Sequence, residues 1–122
     1  MPAASLAAAK GLLARLVAFD TTSHKTNLPL IGFVEDYLRQ HGVESALVPT
    51  PDGRKASLFA TIGPTGVGGI ALSGHTDVVP VEGQAWTTDP FSLVERDGRL
   101  YGRGACDMKG FIATALSLLP EI

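Results

Sequence analysis

An α/β domain with a central mixed sheet flanked by helices is what this 122-residue sequence predicts. Three observations lead there. Two segments near the start repeat apolar residues at helical spacing, short β-rich runs separated by Gly and Pro follow, and one run, Ile70-Ala71-Leu72-Ser73-Gly74, shows almost no polar alternation. A strand without alternation is one covered on both faces, as in a sheet packed between helices.

The first helix is expected from Ser5 to Phe19, where Leu6, Ala9, Leu13, Leu16 and Val17 recur at spacings of three and four. Thr21, Thr22 and Ser23 end it. A second helix follows from about Asn27 to His41: Asn27 is a capping residue, Pro29 suits a first turn, Ile31, Val34 and Leu38 share a face, and Gly42 stops it. Strands are expected at Val43 to Val48, Ser57 to Ile62 and Gly69 to Val79, the second and third separated by the Gly-rich turn Gly63 to Gly69. Asp97-Gly98, between Ser92–Arg96 and Arg99–Tyr101, is a tight-hairpin signal. A last helix is expected from Met108 to Leu119, with Ile112, Ala115, Leu116 and Leu119 inward and Pro120 as its stop.

Composition excludes several functions. Hydrophobic residues make up 45% and charged residues 18%, a globular balance, and 10 basic against 12 acidic residues form no like-charge run that would draw nucleic acid or a lipid surface. No apolar stretch approaches the roughly 20 residues of a membrane span. The Ala-rich start, Met1 to Lys10, lacks a cationic leader, so no signal peptide is indicated. A lone cysteine, Cys106, permits no internal disulfide and fits a reducing cytoplasm.

Chemistry is expected where the buried strand ends. His75-Thr76-Asp77 stands at its carboxyl end, and alternation sends His75 and Asp77 to one side and Thr76 to the other. A metal-bound imidazole commonly has its second nitrogen held by a carboxylate, a role open to Asp77. A plain hydrogen-bonded His–Asp pair fits the tripeptide equally. The second cluster, Gly102 to Gly110, sets Asp107 between hairpin and helix, where it could cap the helix or bridge cations through its two oxygens. Gly102, Gly104 and Gly110 suit a sharply bent approach. A dinucleotide fingerprint fails there, because Asp107 stands where the third glycine belongs and would repel a pyrophosphate. Cys106 is expected as a small buried filler. His24 and His41 are read as a loop residue and a helix-end residue without a catalytic part. Trp86 and Phe91, around Pro90, are expected to pin the loop between the clusters to the core.

Taken together, Ser73 to Pro80, Trp86 to Phe91, Asp97 to Gly104 and Asp107-Met108-Lys109-Gly110 resemble the family of acetylornithine deacetylase, succinyl-diaminopimelate desuccinylase, aminoacylase and carboxypeptidase G2. The likeness covers nearly the whole chain. It implies the N-terminal portion of a zinc-peptidase-like catalytic domain over residues 1–122, with the rest of that domain and a lid or dimerisation domain outside it. It implies two zinc ions, with cobalt as a possible substitute, His75 on one metal, Asp107 bridging both, and Asp77 as the catalytic carboxylate supporting His75. A cis bond between Asp107 and Met108 comes with the same motif. The implied reaction is water attack on the amide of a small N-acyl amino acid in a cytoplasmic homodimer, without nucleic acid or membrane partners. The family's paired-Glu motif and later ligands have no counterpart here: Glu121, alone after Pro120, does not match. The chain therefore reads as truncated, and a non-enzymatic segment with one weak metal site is the other reading.

Overall fold

The computed structural model describes residues 3–122; Met1 and Pro2, at the front of the Ala-rich start, lie outside it. Three helices carry the core. Helix α1 (Ala3–Ala18) buries Ala9, Leu12, Leu13, Leu16 and Val17, while Leu6, expected inward, is half exposed. Helix α2 (Leu28–Gln40) buries Leu30, Ile31, Val34 and Leu38 and ends at Gly42, whose φ of 74° is a conformation glycine adopts without a side-chain clash. Helix α3 (Gly110–Ser117) packs on α1 through Ala113 and Leu116, and a short helical turn, Leu119–Glu121, adds Leu119 to the same cluster. The Tyr37 hydroxyl donates to the Leu116 carbonyl at 3.2 Å and ties α2 to α3.

Asn27 does not cap α2 with its side chain. Its amide instead donates to the Ala56 carbonyl at 2.9 Å and accepts from the Ala56 N–H at 3.0 Å, acting as a substitute strand neighbour. The Thr26 hydroxyl oxygen accepts from the Leu28 N–H in its place.

Strands β1 (Ser45–Pro49) and β2 (Ala56–Ala60) form one antiparallel pair, with Ser45 opposite Ala60 and Pro49 opposite Ala56. Strands β3 (Val94–Arg96) and β4 (Arg99–Tyr101) form the expected hairpin, with φ of 53° at Asp97 and 72° at Gly98. Positive φ at both central residues is the turn that matches strand twist. The fold class holds in its mixture of helices and sheet, but the central sheet does not form among the described residues. Ile70–Gly74 runs extended without a strand partner, Ile70 being 92% and Leu72 64% exposed. The reason is physical: a strand is made by the N–H and C=O groups of its neighbours, and no described strand pairs with this run, which meets side chains of Met108, Phe111 and Ile112 at Gly74. Only further on does the arm find backbone, in a parallel bridge between Thr22 and Val78.

Candidate metal centre

The arm Gly74–Val78 is fixed by the turn that leaves α1. Ser23 N–H donates to the Val78 carbonyl at 3.1 Å, Val78 N–H donates to the Thr21 carbonyl at 3.0 Å, and the Thr21 hydroxyl donates to the Thr76 carbonyl at 2.5 Å. Alternation then acts as expected. The Thr76 hydroxyl turns to the Asn27 amide, while His75 and Asp77 share the opposite side.

The second half of the site is a wide helical turn, Ala105–Lys109, entered through Gly104 at φ 80°. A Cβ on Gly104 would lie 2.4 Å from Val78 Cγ1, and one on Gly110 would lie 2.4 Å from the Ala105 carbonyl oxygen, so a side chain at either position would force its neighbour to move. The peptide bond between Asp107 and Met108 is cis, as the motif implied. Asp107 (φ −120°, ψ 92°) and Met108 are not helical, so α3 starts two residues later than expected and Asp107 does not cap it; Lys109 holds that position. Because the turn points Lys109 inward, Cys106 and Asp107 face outward, and the cysteine expected as a buried filler is exposed.

The two halves meet at His75. Its Nε2 lies 2.9 Å from Asp107 Oδ1, and its Nδ1 lies 3.1 Å from both the carboxylate and the carbonyl of Asp77. Sequence reasoning passed over Ser23, whose hydroxyl donates to the other Asp77 oxygen at 2.5 Å; a Thr/Ser run after a helix gives no sign of a contact 54 residues away. That hydroxyl is the main reason the Asp77 carboxyl sits below its usual range, ahead of the opposing effect of burial and the pull of His75. Burial alone would lower the His75 pKa, but the hydrogen bond to Asp107, with support from Asp77, raises it above the ordinary imidazole value.

Zinc bonds to nitrogen and oxygen are about 2 Å long, so two donors on one tetrahedral ion stand roughly 3.3 Å apart. The His75–Asp107 pair, at 2.9 Å, would need to open by only roughly a few tenths of an ångström. Among the described residues no group of three or more His, Cys, Asp or Glu converges, whereas a catalytic zinc usually takes three protein ligands. The donors therefore fit part of a metal site: one imidazole and one outward carboxylate. Glu121 is far from it, accepting a hydrogen bond from Ser5 at the other end of α1. His24 is exposed and His41 closes α2 with Nδ1 2.9 Å from the Tyr37 carbonyl, so neither joins the site. Trp86 and Phe91 are half-buried, and Trp86 lies under the Arg103 guanidinium, 5.2 Å from its ring centre. The Arg103 N–H donates to the Pro90 carbonyl, linking that loop to the Gly102–Gly104 entry of the Asp107 turn.

Residues 71–122 of the chain match Peptidase family M20/M25/M40. It is 42% identical to acetylornithine deacetylase of Proteus mirabilis (strain HI4320) over 106 residues, which are 86% of this chain and 27% of that protein. The acetylornithine deacetylase of Shigella sonnei (strain Ss046) is 43% identical over 99 residues, 80% of this chain and 26% of that protein. The crystal structure of human carnosine dipeptidase 1 superposes with a TM-score of 0.80 at 28% identity, over 92% of this chain and 27% of that one. The chain thus spans about a quarter of the length of the curated relatives it matches.

Proposed function

We propose that residues 1–122 are the N-terminal portion of the catalytic domain of a two-metal hydrolase that removes the acetyl group from N-acetylornithine, with His75 and Asp107 as metal ligands and Asp77 as the carboxylate that orients His75. One observation carries the metal assignment: both ring nitrogens of His75 face carboxylate oxygens. A neutral imidazole that donates Nδ1–H to Asp77 turns a lone pair at Nε2 toward Asp107, and two acceptors face each other stably only with a cation between them. A proton or a metal ion fills that need, and the exposed mouth of the site gives either access.

Asp77 holds the tautomer and the ring plane, and Ser23 holds Asp77. Asp107 presents one oxygen to His75 and leaves the other free for a second ion. Bound divalent ions would supply Lewis acidity toward water and an amide carbonyl. The choice of N-acetylornithine rests on the 42 to 43% identity with acetylornithine deacetylases, and the likeness to carnosine dipeptidase 1 favours a dipeptide as the second reading. With two donors, the isolated 122-residue segment is not expected to turn over substrate.

The test uses the full-length protein. N-Acetylornithine, N-succinyl-diaminopimelate and carnosine are offered in parallel, and zinc content is measured for wild type and His75→Ala. Acetate release that stops on chelation and a lower zinc content in the variant are expected. Turnover indifferent to chelators, or full zinc loading of His75→Ala, would overturn the metal assignment; preference for carnosine would overturn the substrate.

A further inference from the structure

Lys109 is the only large charged side chain among the fully buried residues described, at 0% exposure. Burying an ammonium is costly unless hydrogen bonds replace water. Its Nζ donates to the Leu16 and Phe19 carbonyls, 2.8 Å each. Leu16 lies in the last turn of α1 and Phe19 just beyond it; each carbonyl also accepts one backbone N–H, from Phe19 at 3.3 Å and from Thr21 at 3.0 Å, and offers its second lone pair to the ammonium, which the helix dipole favours as well. At the other end of the residue, the Lys109 N–H donates to the Gly104 carbonyl at 2.8 Å and closes the turn that presents Asp107.

The same stretch of backbone holds the opposite arm of the site. Just beyond Phe19, Thr21 and Ser23 carry the bonds to Thr76, Asp77 and Val78. Both donors are therefore anchored to one short segment, Leu16–Ser23: His75 through the turn, Asp107 through Lys109. We propose that Lys109 is a positioning residue, whose clamp on the end of α1 sets the spacing of His75 and Asp107 as metal donors. The proposal rests on the metal-hydrolase reading above. A lysine suits the task because its long stem reaches from the Asp107 turn to the helix end and its head satisfies two carbonyls at once.

Metal affinity separates positioning from mere stability. In the full-length, metal-free protein, zinc affinity by chelator competition is compared for wild type, Lys109→Met, Thr21→Val and, as a core control, Leu38→Ala in α2, which packs on β1 and β2. Lys109→Met is expected to weaken zinc binding by about 10- to 100-fold, the range typical of groups that orient a ligand. Thr21→Val, which loses one bond on the His75 side, should weaken it by about threefold to tenfold, and Leu38→Ala by less than about threefold. A folded Lys109→Met that binds zinc as tightly as wild type overturns the proposal, as does an equal loss in Leu38→Ala. Should Lys109→Met fail to fold, Thr21→Val decides: unchanged affinity overturns the common anchor and a weakened one supports it. Wild type that binds no zinc overturns the metal reading and this proposal together, a result distinct from tight wild-type binding that the variants leave unmoved.

Discussion

The three helices and the Gly69–Val79 arm are both rich in apolar residues, yet Leu16 is 0% exposed and Leu72 64% exposed. A helix makes its backbone hydrogen bonds within itself and needs a neighbour only for its apolar stripe, which α1, α2 and α3 give one another. An extended segment needs a neighbour even for its backbone, and the arm finds partners only at Thr76 and Val78, none along Ile70–Gly74 among the described residues. Apolar content therefore predicts burial for the helices and predicts only a demand for partners for the arm.

The largest effect expected from this contrast is at Leu16. Leu16→Ala should lower the unfolding free energy by about 2 to 5 kcal/mol, measured by denaturant titration, because it empties a closed site. A loss under about 1 kcal/mol would mean that the helical core is not the stabilising unit. Gly104→Ala comes next. Its Cβ would lie 2.4 Å from Val78, at a backbone φ of 80°, so a loss of about 1 to 3 kcal/mol is expected. The same variant should weaken zinc binding, since Val78 and Asp107 are both displaced; wild-type stability would show that arm and turn are not packed together.

Acid gives a smaller and reversible effect at the α1 end. Burial pushes the Asp20 carboxyl up, but Lys25 and the Thr22 hydroxyl and N–H outweigh it and bring the pKa down to about 2, from 3.8. The folded state therefore takes up this proton less readily than the unfolded state. Stability from Asp20 is fully present above about pH 4 and is lost as pH falls toward 2. Denaturant titrations between pH 5 and 2.5 should show wild type losing more stability than Asp20→Asn; parallel losses would remove Asp20 from the account. Smallest of all is Leu72→Ser in the arm, expected within about 0.5 kcal/mol of wild type. A larger cost in the 122-residue chain would mean that the arm is covered, and the contrast with the helices would fall.

Helical period, Gly42, Asp97-Gly98 and the strand alternation that puts His75 and Asp77 on one side are local properties, and the sequence by itself determined them. Periodicity and turn chemistry act over a few residues and need no distant contact. The pairing of His75 with Asp107, 32 residues apart, was suggested by motif likeness and not by spacing, since no local rule joins a strand end to a later turn. Only the tertiary structure decided that Asn27 pairs with Ala56, that Ser23 holds Asp77, that Cys106 faces outward, and that Lys109 is buried at the end of α1. Each depends on which groups of distant elements the packing brings together. A side chain's identity states what it can donate or accept; where a partner waits is settled when the elements pack.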